Sequence, residues 1–166
     1  MLTPQFYIRT ATVADLPAVE RLLRAAWHAA YDGIHGADKI EATSRAWHSP
    51  AKLKTNLERP WSEFLLADTG AALAGVAYAA QASEDFITLH QLYIDPALTG
   101  RGIGTQLLEA VFDSFPEARA FRLEVDAGNP RAAAFYARHG FRETGRTPNC
   151  GQHGSGMASA IMEKRL

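Results

Sequence analysis

The chain has 166 residues, 47% of them apolar, and its 17 basic and 18 acidic side chains are interspersed to a formal net charge of −1. That length suits a single domain over residues 1–166, and that apolar fraction suits one sizeable core. The balanced charge leaves no electrostatic footprint for nucleic acid or an anionic membrane surface, and a lone cysteine, Cys150, excludes an intrachain disulfide and a thiolate zinc cluster.

Met1 to Thr10 lacks the basic start and apolar run of a signal peptide. The longest uncharged apolar stretch, Ala71 to Ala80, falls well short of the roughly 20 residues that cross a bilayer. The expectation is a soluble cytoplasmic protein with neither nucleic acid nor membrane as partner, and a single cysteine fits a reducing compartment. Phe6 to Thr10 predicts a short strand. Thr12 to Asp15 has the form of a capping box, a hydroxyl followed three residues later by an acid. Leu16, Val19, Leu23, Ala26, Trp27 and Ala30 then recur at three- and four-residue steps, which gives one helix an apolar face. Gly33 and Gly36 are expected to loosen the chain after it. Ala37 to Arg59 continues the helical pattern, interrupted at Ser49-Pro50 and ended by Pro60.

Phe64 to Ala67 reads as a strand and Asp68-Thr69-Gly70 as its turn. Ala71 to Gln81 and Phe86 to Asp95 read as two more strands around the polar turn Ser83-Glu84-Asp85, so three sequential strands form a meander. Gly102 to Phe115 carries the clearest helical stripe: Ile103, Leu107, Leu108, Val111, Phe112 and Phe115. Phe121 to Val125 is a strand. Asn129-Pro130 supplies an N-cap and first-turn proline for a helix to His139, and Gly140 supplies its stop. Phe141 to Thr147 and Met157 to Lys164 are the last strands, separated by the glycine-rich loop Asn149 to Gly156. The order predicts a mixed α/β fold.

The turn Thr99-Gly100-Arg101-Gly102-Ile103-Gly104-Thr105 lies between a strand and a helix start. Its alternate glycines permit unusual backbone angles and close approach of a ligand to the main chain. The exposed N–H groups and positive dipole end of the helix make an anion site, to which Arg101 adds a cation. A Walker loop would require a lysine, which the turn lacks. A dinucleotide fingerprint would require GxGxxG after the first strand of a βαβ unit, and here the spacing is GxGxG after a meander.

Two segments together resemble the GNAT superfamily of N-acetyltransferases. Leu92-Tyr93-Ile94-Asp95-Pro96 followed by Gly100-Arg101-Gly102-Ile103-Gly104 is similar to that family's fourth strand and its Arg/Gln-x-x-Gly-x-Gly/Ala turn. Asn129-Pro130 through Ala134-Phe135-Tyr136 to His139-Gly140-Phe141 is similar to its second conserved element. Thr99 departs from the pattern, standing where the family usually has Arg or Gln.

The resemblance implies a mostly antiparallel central sheet of six to seven strands flanked by about four helices. It implies acetyl-CoA as cosubstrate, without a metal, and a homodimer as the expected assembly. Backbone groups of Leu92, Tyr93 and Ile94 would pair with the pantetheine arm. The amides of Arg101, Gly102, Ile103, Gly104 and Thr105, after Gly100, would cradle the pyrophosphate. Asn129 would contact the pantetheine side and Tyr136 would sit near the thioester sulfur. The region of Trp27, His28, Tyr31 and His35 would shape the site of the acceptor, a primary amine of a small molecule or peptide.

Acetyl transfer to an amine needs a base for the amine proton, a polarised carbonyl and an acid for the leaving thiolate. Tyr136 is the candidate acid. For the base, His90 on the strand has a suitable ordinary pKa, with Glu84, Asp85 and a water chain as alternatives. Proximity of amine and thioester supplies part of the acceleration in any case. His28 and His35 lack metal-ligand spacing. Cys150 near His153 lacks a third orienting residue and reads as an ordinary thiol. A non-catalytic acyl-CoA-binding sensor or interaction module is the alternative from a different functional class.

Overall fold

The computed structural model describes residues 4–150 and 155–166. Its elements are β1 (Tyr7–Thr10), α1 (Leu16–His35), α2 (Ala37–Trp47), α3 (Pro50–Glu58), β2 (Ser62–Asp68), β3 (Leu73–Gln81), β4 (Phe86–Ile94), α4 (Ile103–Ser114), β5 (Ala120–Asp126), α5 (Pro130–Arg138), β6 (Arg142–Thr147) and β7 (Ser159–Arg165). The strands follow the order β1-β2-β3-β4-β5-β7-β6 in one mixed sheet. β1 with β2, β2 with β3, β5 with β7 and β6 with β7 pair antiparallel, and β4 with β5 parallel. The expected α/β class with a mostly antiparallel sheet holds, with five helices among the described residues rather than about four.

The extra helix comes from Ala37 to Arg59, which divides in two where Ser49 Oγ accepts the Lys52 N–H at 3.3 Å and caps α3 ahead of Pro50. Gly33 does not loosen the chain as expected. It lies inside α1, whose last turn closes with the Gly36 amide on the Asp32 carbonyl at 3.0 Å. The break falls at Gly36, where φ is +86°, a left-handed value that glycine adopts without a Cβ penalty. No helix among the described residues is long and apolar enough to cross a membrane.

The chain divides into two compact units, Met1–Ala80 with Gln91–Pro116, and Gln81–His90 with Glu117–Leu166. In the first, Leu16, Val19 and Leu23 of α1 and Leu53 of α3 are buried with Phe64 and Leu66 of β2 and Val76 and Tyr78 of β3. These strand residues are two apart, so they share one sheet face. On the opposite face Gly75 is the point of closest approach: a Cβ there would stand 2.8 Å from Leu107 Cδ1 of α4 and 2.9 Å from Ile94 Cδ1 of β4.

Arg9 ties the edge of this unit together. Its guanidinium meets Asp15 at 2.7 Å and Asp68 at 2.8 Å, joining β1 to the entry of α1 and the end of β2. Asp15 also accepts the Thr12 N–H at 2.8 Å, which completes the predicted cap. The hydrogen bonds from Arg9 hold both carboxyls below the usual carboxylate range.

In the second unit, β5 pairs along its length with β7, from Ala120↔Arg165 to Asp126↔Ser159. The parallel ladder with β4 runs from Phe86↔Ala120 to Thr88↔Arg122. Arg122 lies 4.4 Å over the Phe86 ring and reaches Glu163 at 3.2 Å. Asn129 Oδ1 accepts the Ala132 N–H at 3.2 Å and caps α5, and Gly140 at φ +92° ends it. Lys164 Nζ donates to the His139 carbonyl at 2.8 Å, placing a cation at the negative end of the helix.

Candidate functional site

The glycine-rich turn belongs to the first unit. Asp95 Oδ1 accepts the Ala97 N–H at 2.9 Å and turns the chain out of β4. Thr99 is exposed, with its hydroxyl 3.5 Å from the Pro96 carbonyl. Gly100 and Gly102 have φ of +76° and +83°, left-handed values that explain both glycines. A Cβ on Gly102 would meet no protein atom within 4 Å, so the space before the helix start is open. Gln106 N bonds the Gly102 carbonyl at 3.1 Å, which leaves the amides of Ile103, Gly104 and Thr105 ahead of the first helical bond, at the positive end of α4. Ile103 is buried and anchors the turn to the core, whereas Arg101, Gly104 and Thr105 are half-buried. Leu92, Tyr93 and Ile94, on the last residues of β4, are half-buried too.

On the other face of the same unit the α1 aromatics gather. The Trp27 ring lies 5.1 Å from Tyr31, 5.5 Å from Trp47, 5.0 Å from His48 and 6.2 Å from Tyr93. Tyr31 is in turn 6.2 Å from His35. Trp47 and His48 went unremarked in the sequence; they sit at the end of α2, just before the Ser49-Pro50 break that was visible there. His48 is buried, its Nδ1 3.2 Å from Ser44 Oγ, and burial pushes its pKa down to about 4, so the ring is neutral. His28 behaves oppositely. Its Nδ1 meets Asp32 and its Nε2 meets Glu41, both at 2.7 Å, and the bond to Glu41, then that to Asp32, raises its pKa. Both ring nitrogens are thereby engaged, and His28 fastens α1 to α2. Gln91, another residue without a signal in the sequence, is 8% exposed although polar.

In the second unit Tyr136 is half-buried on α5, its ring 5.2 Å from Phe135 and 5.6 Å from Phe141. The Tyr136 carbonyl accepts the N–H groups of His139 and Phe141, at 3.0 and 3.1 Å, so the same residue organises the helix end. His90 is exposed on β4, two residues past the ladder with β5. Glu84 and Asp85 are exposed in the β3–β4 turn, where Asp85 faces Arg119 at 3.5 Å. The Cys150 thiol is pushed up to about 11, first by burial and then by the negative Glu124 and Asp126, which makes it a poor nucleophile. Its suggested neighbour His153 lies outside the described residues.

A meander leading into a glycine-rich helix start, followed by a strand and an asparagine-capped helix, makes up a mixed α/β protein with a candidate anion site at the start of α4. The chain belongs to the Acetyltransferase (GNAT) family, whose model matches residues 18–141. It is similar to the N-alpha-acetyltransferase RimI of Mycobacterium tuberculosis, 32% identical over 99 residues that cover 58% of this chain and 62% of that protein. It is 35% identical over 82 residues to the uncharacterized protein ML0378 of Mycobacterium leprae, covering 49% of this chain and 23% of that one. The matched stretch thus spans less than two thirds of either relative. The PaiA N-acetyltransferase of Thermoplasma acidophilum, solved in complex with coenzyme A, superposes at a TM-score of 0.84 with 27% identity, over 98% of this chain and 99% of that one. The ribosomal-protein-S18-alanine N-acetyltransferase of Escherichia coli shares the fold, at a TM-score of 0.73 and 22% identity over 98% and 94% of the two chains.

Proposed function

We propose that this chain is an acetyl-CoA-dependent N-acetyltransferase in which a primary amine of a small molecule or peptide attacks the thioester directly. The observation that carries the reading is the helix start at Gly102. A left-handed glycine with open space at its Cβ position precedes the positive end of α4, in a chain of the acetyltransferase family. That arrangement suits the pyrophosphate of coenzyme A. The family match crosses both units, which supports residues 1–166 acting as one domain.

Bound acetyl-CoA supplies an acetyl group activated as a thioester. The residues of the chain do the rest. Amides of Arg101 through Thr105 hold the pyrophosphate, with Arg101 providing the cation that Thr99 does not. Backbone groups of Leu92, Tyr93 and Ile94 align the pantetheine, and Asn129 contacts the same arm. A backbone amide near Leu92 polarises the carbonyl oxygen. His90 takes the proton of the attacking amine, the new C–N bond forms as the C–S bond breaks, and the Tyr136 phenol gives its proton to the departing sulfur. Trp27, His28 and Tyr31 border the acceptor, with His28 acting through the position of α2.

Thiol release from acetyl-CoA across a panel of primary amines tests this. Tyr136→Phe should lower turnover about a hundredfold while coenzyme A binding stays within about twofold. Unchanged turnover would remove Tyr136 as the acid. Coenzyme A binding without turnover on any amine would instead identify a non-catalytic acyl-CoA-binding module.

A further inference from the structure

Lys164 lies on the inward face of β7. It stands opposite Phe121 in the ladder with β5 and two residues from Met162, so it shares a sheet face with both. Phe121 is fully buried and Met162 buried, whereas Lys164 is half-buried. A lysine entering an apolar layer needs a polar partner for its ammonium. The end of α5 supplies one: Nζ donates to the His139 carbonyl at 2.8 Å. The stem runs along Gly140, where a Cβ would stand 3.4 Å from Nζ, 3.5 Å from Cε and 3.6 Å from Cδ. The same turn holds Tyr136. α5 has 9 residues with Tyr136 in its last turn, and a helix so short depends on tertiary contacts to keep its ends wound. The Tyr136 carbonyl accepts the His139 and Phe141 N–H groups, and the buried Phe141 ring lies 5.6 Å from the Tyr136 ring. The carbonyl that Lys164 engages therefore lies between the two N–H groups that Tyr136 accepts.

We propose that Lys164 is a positioning residue for Tyr136: its ammonium clamps the C-terminal turn of α5 and so fixes the phenol that protonates the departing sulfur. This rests on the assignment of Tyr136 as the acid and adds the group that holds it in place. A phenol in the last turn of a short helix swings with any fraying of that turn. A misplacement of about 1 Å costs a reaction on the order of a hundredfold, so the end of this helix has to stay wound during turnover. The cation suits that task, because it meets both the hydrogen-bonding need of the last carbonyls and the negative end of the helix dipole. Arginine can supply the same charge and a donor. Methionine can replace the apolar stem and nothing else, so the two substitutions separate the clamp from mere filling of the layer.

The test is steady-state thiol release from acetyl-CoA in the whole chain, with the fastest of spermidine, leucine amide and an alanine tetrapeptide amide as acceptor. The variants are Lys164→Met, Lys164→Arg, Tyr136→Phe and the Lys164→Met/Tyr136→Phe pair, and hydrogen exchange of the Phe141 amide is followed alongside. Lys164→Met should lower kcat about tenfold with KM for acetyl-CoA kept within about twofold. It should also speed exchange at Phe141, and Lys164→Arg should recover most of both changes. In the Tyr136→Phe background Lys164→Met should cost nothing further, because the two residues act as one unit; a general loss of folding would instead add to the first loss. An unchanged kcat or unchanged Phe141 exchange in Lys164→Met, a loss carried by KM, no recovery in Lys164→Arg, or additive losses in the pair would each overturn the positioning role. If Tyr136→Phe is still slow in that case, the acid stands without the clamp. A Tyr136→Phe variant as fast as the parent would remove the acid itself, and absence of thiol release in the parent would remove the acetyltransferase reading; either takes the role of Lys164 with it.

Discussion

Replacing Gly75 by alanine should destabilise the protein, although alanine is ordinarily better than glycine inside a strand. The new Cβ would stand 2.8 Å from Leu107 Cδ1, 2.9 Å from Ile94 Cδ1 and 3.2 Å from the Tyr93 carbonyl oxygen. Ordinary carbon contacts lie near about 3.5–4.0 Å, so both methyl groups must retreat by most of an ångström. Leu107 has nowhere to go, since it is fully buried in α4. Such overpacking costs about 1–3 kcal/mol. The opposing gain, from restricting the unfolded chain, is about 0.4–1 kcal/mol, so overpacking wins. For a chain of this length a net loss of about 1–2 kcal/mol lowers the melting temperature by about 2–8 °C. Urea unfolding followed by circular dichroism reads the same loss as a lower midpoint with an unchanged slope. Because Tyr93 and Ile94 lie in the segment assigned to the pantetheine, coenzyme A affinity should fall as well. A variant as stable as the parent would refute the close approach of α4 to the sheet at this glycine.

Gly102→Val should abolish detectable coenzyme A binding by calorimetry, because the side chain would fill the open space before α4 and strain the left-handed backbone of the turn; normal binding would remove the phosphate turn. Asp15 and Asp68 titrate lower in the folded chain than in the unfolded one. Their contribution is therefore complete above about pH 4 and drains as the pH falls toward their folded values. Arg9→Ala should then be less stable than the parent at pH 7 and lose less on acidification to pH 2, which parallel melting curves at the two pH values would read. Cys150, with its thiol pushed up to about 11, should react with iodoacetamide at pH 7 at least about a hundredfold more slowly than a free cysteine; a free-cysteine rate would show the thiol to be exposed.

Features set by neighbours in the chain were legible in the sequence. The apolar stripe of α1, the Asn129 cap of α5, the Ser49-Pro50 break and the glycines of the 99–105 turn all express local sterics or a hydrogen bond within a few residues. The reach of α1 past Gly33 was less legible, because one glycine inside a helix costs only about 1 kcal/mol and neighbouring turns absorb it. Gly75 did carry a signal, since a glycine inside a strand marks close approach of another element, but nothing local says which element approaches.

By itself the sequence determined the element order, the glycine turn at a helix start and the asparagine-capped helix carrying Tyr136, because backbone angles, caps and periodicity act over a few residues. Only the tertiary structure decided the placement of β7 between β5 and β6, the engagement of both His28 nitrogens and the meeting of Trp27 with Tyr93. His28 meets Glu41 from 13 positions away, and Tyr93 lies more than 60 positions from Trp27. Pairings at such separations depend on which surfaces meet when the chain closes on itself, and no short-range pattern encodes them.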